Sequence, residues 1–262
     1  MTKVFADLCA CLEARLAPDA AAWLEAALYA TATDPMAVLE LFPVVARHCG
    51  RGPLDPTGAP GARPAAAGWA APDAARVVLL AALPPAPGLL PGLLTRLYRA
   101  GGTPERRALL RALPVLDPLR SDLGDAAVGL VHEALRSQDN SLVAAALSPY
   151  AARHLDAAAY RHAVLKCVFM GVPPVIAEER VDAELARMLA DHAHERVAAG
   201  RDVPEDVWPV LARFPAVVAA SGLPGEADRP EPGRRAAARR ALTRLAAHTP
   251  AGVPGHRLRP CE

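Results

Sequence analysis

The chain is built almost entirely from Ala- and Leu-rich segments with helical periodicity, which proline and glycine interrupt at short intervals. No alternation of apolar and polar residues lasts long enough to indicate a β-strand. The pattern therefore predicts an all-α fold of about a dozen short helices, either an α-solenoid of HEAT-like pairs or an irregular helical bundle. The predicted helices span residues 3–16, 19–31, 35–49, 72–83, 87–101, 104–113, 122–137, 139–147, 156–171, 182–199, 204–213 and 233–248.

Proline and glycine also predict the domain organisation. Residues 1–220 read as one helical domain, and residues 221–233 are a Pro/Gly-rich linker. Residues 234–262 are predicted to form a basic helix and a tail that is disordered from Thr249 onwards. The long Gly/Pro-rich stretch at 50–71 is predicted to be a loop, either a lid over a site or an inert surface loop.

Composition excludes several classes of function. The net charge of +1 gives no reason to expect nucleic acid, and no apolar run is long enough for a transmembrane helix. The N-terminus is amphipathic, unlike a signal peptide, so a cytoplasmic location is expected. The five cysteines fit no zinc pattern, and neither a metal nor a cofactor is predicted. A basic strip near the C-terminus fits a solvated helix face better than a nucleic-acid site; it contains Arg234, Arg235, Arg239 and Arg240.

The helix at 182–199 concentrates charge in an otherwise apolar chain. Helical geometry places His192 and Arg196 on its inward face, Asp191 and Glu195 on one flank, and His194 nearly opposite the core. In a functional interpretation Arg196 clamps an anion and His192 is an acid or base. In a structural interpretation Arg196 bridges helices through a buried carboxylate and His192 is a hydrogen-bonded core residue. The run H-A-H-E-R lacks the spacing of a zinc-binding H-E-x-x-H motif.

A second candidate lies on the apolar helix at 156–171. Lys166 is one of only two lysines in the chain, and His162 precedes it by one turn on the same side. A buried lysine can serve as a nucleophile or base. Alternatively, Lys166 pairs with Asp191 or Glu195 of the next helix and stabilises their packing.

Three segments resemble the EboA family of bacterial proteins: SPYAARHLD at 148–156, AVLKCVFMGVP at 163–173 and ELARMLADHAHERVAAGRDVP at 184–204. Trp69, Asp73, Arg76 and Asn140 also stand where the family has such residues, so the resemblance covers roughly 65–215. It implies a place in secondary metabolism, since EboA-like proteins are encoded beside cyclitol-synthase-like, prenyltransferase-like and hydrolase-like neighbours. Some are called sugar-phosphate isomerases by association.

The chain departs from the family at three places. Where the family often has Asn, this chain has Ser148, and where the family often has Asn-Gln, it has Arg161-His162. His192 occupies a position where the family usually has Tyr. If these positions touch a substrate, this protein uses a different one.

Two hypotheses of function follow. In the first, the protein is an enzyme that isomerises, cyclises or rearranges a small polar or anionic intermediate without a redox cofactor. Its catalytic residues would be Lys166, His162, His192 and Arg196, and its substrate-binding or orienting residues Asp73, Arg76, Asn140, Asp191 and Glu195. Asp73 and Arg76 are alternatively a structural ion pair.

In the second hypothesis the protein is a non-catalytic scaffold or carrier that serves other enzymes of its pathway. A closed pocket containing Lys166 and Arg196 would favour an enzyme, whereas an open groove with those residues in ion pairs would favour a scaffold.

Overall fold

A computed structural model describes residues 2–54 and 68–249. Within these ranges it contains fourteen α-helices and no β-strand, so the all-α prediction is confirmed. Most of the predicted loop at 50–71 and almost all of the predicted disordered tail lie outside the described residues. The two described ends of that loop lie side by side, because Leu54 N–H donates to the Trp69 carbonyl at 2.7 Å and Ala71 N–H to the Gly52 carbonyl at 3.0 Å.

The chain forms two compact units, Met1–Leu155 and Asp156–Glu262. The division falls inside the segment 1–220 that composition assigns to one domain. Residues 221–233, read as a linker, contain a 3-10 helix at Pro224–Asp228 that packs on the last helix. The second unit thus includes these residues as folded structure.

The first unit is organised around one buried helix, Ala71–Ala81 (α4), in which nine of eleven residues are buried. It packs against three helices that precede it and against Thr103–Leu116 (α6), which in turn contacts Asn140–Ala146 (α8). The other helices of this unit are α1 (Lys3–Arg15), α2 (Pro18–Thr33), α3 (Val38–His48), α5 (Leu89–Ala100), α7 (Val128–Leu135) and α9 (Pro149–His154).

The second unit is organised around α11 (Ala183–Ala198). This helix contacts all four of its companions, so its apolar side forms the centre of the unit. The companions are α10 (Ala157–Met170), α12 (Trp208–Leu211), α13 (Pro215–Ala220) and α14 (Pro232–His248).

Short helices account for the difference from the predicted elements. α9 and α13 are six residues long, too short to show a helical period, and each begins at a proline. The predicted helix at 122–137 begins at Val128, after a series of turns. Among the described residues, no helix combines the length and the hydrophobicity needed to cross a membrane.

Candidate functional site

α10 presents a mixed polar and aromatic stripe. Asp156 caps its N-terminus by accepting from Ala159 N–H at 2.8 Å, and Gly171 ends it in a left-handed conformation with φ of 69°. One side of the helix is buried around Tyr160 and Val164. The opposite side carries His162, Lys166 and Phe169, which are one turn apart and therefore lie in line.

α11 is fixed to α10 at its N-terminus. Asp182 caps α11 by accepting from Leu185 N–H at 2.8 Å, and it also accepts two hydrogen bonds from Arg161 Nε at 3.1 Å and Nη2 at 2.6 Å. Hydrogen bonds from Arg161 lower the pKa of Asp182, against the opposing effect of burial. Asp182 therefore stays ionised and joins the two helices at one end of the candidate site.

A groove of about 430 Å³ runs between α10 and α11 and opens to solvent. Of the nine predicted site residues, five line it together. These are His162, Lys166, Asp191, His192 and Glu195. Four further residues complete the lining, and the sequence analysis did not predict them as site residues. They are Leu165, Phe169, Arg187 and Met188.

Phe169 contributes the aromatic part of this groove. Phe169 is 73% exposed, and its ring lies edge-on to His192 with 6.4 Å between centroids. Its spacing of three residues from Lys166 is the pattern that could have identified it in the sequence.

His192 is half-buried, and its Nε2 atom is buried without a hydrogen-bond partner. Burial lowers the pKa of the imidazole, Arg196 lowers it further, and Glu195 opposes both effects. The neutral ring is therefore favoured at physiological pH. The hydrogen bond that the structural interpretation assigned to His192 is absent from the described part of the protein.

Lys166 is half-buried and forms neither a hydrogen bond nor an ion pair with any described residue. The predicted alternative, a pair with Asp191 or Glu195, is not formed. Asp191 instead accepts from Arg187 Nη1 at 2.7 Å, and Arg187 also pairs with Glu184 at 2.7 Å. The Lys166 ammonium thus forms no direct ion pair with a described residue, although the Asp191 and Glu195 carboxylates line the same groove.

Arg196 does not line the groove. It lies in the last turn of α11, where its Nε donates to the Asp202 carbonyl at 2.5 Å. Gly200, with φ of 70°, reverses the chain so that this carbonyl returns to the helix. Arg196 therefore fixes the end of α11, and the anion clamp predicted for it has no counterpart in this arrangement.

His194 lies on the other side of α11, where the sequence predicted solvent. Its Nε2 is 3.1 Å from Oε1 of Glu226, whose side chain is only 1% exposed. Arg234 donates to both oxygens of this carboxylate at 2.8 Å. Gly222 leaves the space for the imidazole, because a Cβ there would come within 2.3 Å of the ring.

In the first unit, Asp73 and Arg76 are both 1% exposed on α4, and their closest charged atoms are 3.9 Å apart. Arg76 is held by other groups: Nη2 donates to Glu105 at 2.7 Å and Nε to the Phe42 carbonyl at 3.1 Å. Burial lowers the pKa of Arg76, and Glu105 and Asp73 oppose that effect. Arg76 is thus closed off from solvent and engaged by protein groups, an arrangement that favours the structural alternative.

Asn140 begins α8 and is exposed, while the preceding Asp139 caps that helix. Within residues 2–54 and 68–249, no three His, Cys, Asp or Glu side chains are placed to hold a metal ion together.

One comparison with known proteins identifies a family. The model of the family described as metabolite traffic protein EboA matches residues 4–212, most of the chain. No curated protein and no solved structure matches significantly. The matched range contains α10, α11 and the groove between them, and the chain belongs to the EboA family of metabolite traffic proteins.

Proposed function

We propose that the protein binds a small metabolite reversibly in the groove between α10 and α11 and carries it without transforming it. The observation that carries this proposal is the unpaired Lys166 ammonium, which lies in an open groove beside two imidazoles and an exposed phenyl ring. The family description, which refers to metabolite traffic, agrees with it.

The lining indicates a polar or anionic ligand with an apolar part. Lys166 offers a positive charge to a carboxylate, phosphate or hydroxyl group. His162 Nδ1 lies 2.8 Å from the Ala158 carbonyl and serves as donor there, so its Nε2 is left as an acceptor. Phe169 and Met188 provide the apolar surface.

Openness favours carriage over catalysis. Enzymes that stabilise charged transition states exclude water, which strengthens electrostatic interactions in the site. Here the groove faces solvent, and Arg196, the expected anion clamp, is engaged at the end of α11. In this proposal the protein works in the cytoplasm, within secondary metabolism, and passes its ligand to enzymes of the same pathway.

An enzyme that isomerises, cyclises or rearranges the ligand is the second candidate. His192 favours it, since a neutral imidazole with an unpartnered buried Nε2 is suited to act as a general base. Chromatography with mass detection of ligand incubated with the protein separates the two candidates, because a carrier returns its ligand unchanged.

The two lysines allow a direct test of the groove. Reductive methylation with ¹³C-formaldehyde retains the lysine charge and gives separate NMR signals for Lys3 and Lys166. We would titrate the methylated protein with myo-inositol, glucose 6-phosphate and benzoate. A ligand in the groove is expected to shift the Lys166 signal and to leave that of Lys3, which is 82% exposed, in place.

Matched variants complete this test. Lys166→Met keeps the length of the side chain and is expected to abolish binding in calorimetry, whereas Lys3→Met is expected to bind like the wild type. If no compound shifts the Lys166 signal, or if both variants bind equally, the groove is not the binding site.

A further inference from the structure

A separate feature of the first unit is a pair of arginines on α6. Arg107 and Arg111 are one helical turn apart, and their guanidinium groups reach the same atom, Oδ2 of Asp73, each at 3.3 Å. Because both contact one oxygen, the two groups are neighbours. Neither forms the two-point pair with a carboxylate that holds an arginine most firmly.

Contacts with neighbouring protein groups hold the two arginines in position. Asp73 is 1% exposed on α4, and Arg111 Nη1 also donates to the Gly68 carbonyl at 3.0 Å. The guanidinium of Arg111 lies 4.2 Å above the Trp69 ring, a cation–π contact that sets its plane. The position of Arg111 is therefore set before any ligand arrives.

The cluster carries excess positive charge. Three guanidinium groups, those of Arg76, Arg107 and Arg111, face two carboxylates, Asp73 and Glu105. Arg76 is fully enclosed, whereas Arg107 and Arg111 are 34% and 23% exposed. The pKa of Arg111 is lowered by burial and by Arg107, with Asp73 opposing, so an additional negative charge would stabilise its charged form.

Most of the donors in this pair are unused. Each guanidinium has five N–H donors, yet the described residues accept only one from Arg107 and engage only Nη1 of Arg111. Arg107 Nε is buried without a hydrogen-bond partner among the described residues.

We propose that Arg107 and Arg111 form an anion site for a phosphoryl group, independent of the groove in the second unit. A phosphate has several terminal oxygens and can accept from both arginine forks at once, whereas a monocarboxylate satisfies a single fork. The site binds the terminal phosphate of a phosphorylated metabolite, or free phosphate, at the solvent-facing edges of the two side chains.

Calorimetric titration of the full chain at constant ionic strength tests the site. The probes are inorganic phosphate, glycerol 3-phosphate and acetate. We expect both phosphates to bind and acetate to bind far more weakly. Tighter binding of glycerol 3-phosphate than of inorganic phosphate identifies a phosphate ester as the ligand. The reverse order identifies free phosphate. Absence of binding by both phosphates, or equal binding of acetate, overturns the proposal.

Variants assign the binding to these residues. Arg107→Gln is expected to weaken phosphate binding about ten-fold or more, the effect of one lost charge-assisted hydrogen bond. Arg239→Gln changes the net charge equally on an exposed face of α14 and is expected to bind like the wild type. Equal weakening in both variants would indicate a general charge effect and refute the site. Arg111→Lys keeps the charge but loses the forked guanidinium donors, and it is also expected to weaken phosphate binding about ten-fold or more. This variant replaces Arg107→Gln if the latter does not fold.

Discussion

Glu226 offers the sharpest test of how the second unit is held together. Its carboxylate is 1% exposed and accepts from Arg234 at two oxygens and from His194 at one, with Arg229 at 3.7 Å. Burial raises the pKa of Glu226, but hydrogen bonds from Arg234 and His194 outweigh it, and the net shift is downward. The Glu226→Gln variant keeps the size of the side chain and removes this charge.

The expected loss of stability in Glu226→Gln depends on how exposed the partners of Glu226 are. Arg234 and His194 are 30% and 36% exposed, so water replaces part of what they lose. Breaking a fully buried pair costs about 3–5 kcal/mol, and partial hydration reduces the expected loss here to about 2 kcal/mol at pH 7. For a chain of this size, that corresponds to a melting temperature lower by about 4–8 °C.

The loss is expected to depend on pH. The folded-state pKa of Glu226 lies below its ordinary value of 4.5, so ionised Glu226 stabilises the fold above that pH. The stabilisation disappears as the pH falls through the folded-state pKa, while Arg234 remains protonated. The difference between wild type and Glu226→Gln should therefore shrink below pH 4.5.

Urea unfolding followed by circular dichroism at pH 7, 5 and 4 measures this difference. Glu231→Gln is the matched control, because it makes the same change at an exposed residue of the same segment. A variant as stable as the wild type at pH 7, or a difference that stays constant down to pH 4, would refute the reasoning.

Three further outcomes are expected. Gly222→Ala places a Cβ 2.3 Å from the His194 ring. Unless the ring moves aside, the free energy of unfolding measured in urea should fall by about 1–3 kcal/mol. Asp182→Ala removes the N-cap of α11 and the partner of Arg161, and should lower the free energy of unfolding by about 1 kcal/mol; an unchanged value would show that the cap is dispensable. Burial raises the pKa of Cys167 to about 11, so iodoacetamide at pH 8 should alkylate it far more slowly in native protein than in urea, as mass spectrometry of its peptide would show.

Local sequence patterns were sufficient to predict the fold class. Helical periodicity predicts elements of ten residues or more, and α10 and α11 both extend over nearly the predicted ranges. Since the same geometry assigns residues to faces, it brought Lys166 and His192 to one groove without knowledge of the tertiary structure. α13 escaped prediction because six residues contain less than two turns of pattern.

Long-range partners could not be predicted in this way. The sequence predicts the Asp73–Arg76 ion pair, which forms at 3.9 Å. It does not predict the hydrogen bonds of Arg76, which go to Phe42 and Glu105, 34 and 29 residues distant. Nothing in the local pattern of α6 indicates that Arg107 will reach a carboxylate on α4. Tertiary packing decides these contacts, and the excess charge that suggests a phosphoryl site exists only after packing.

The position of His194 follows from a segment beyond the matched family range. The family model ends at residue 212, whereas α13, the 3-10 helix at Pro224–Asp228 and α14 all contact α11 and lie after it. His194 therefore contacts Glu226, which belongs to the segment after residue 212. Without that segment, the His194 side chain would face water. Because α11 is one wall of the groove, the hydrogen bonds of Glu226 hold that wall from the opposite side. The C-terminal segment is thus a support of the candidate binding site, and loss of Glu226 should weaken ligand binding as well as folding.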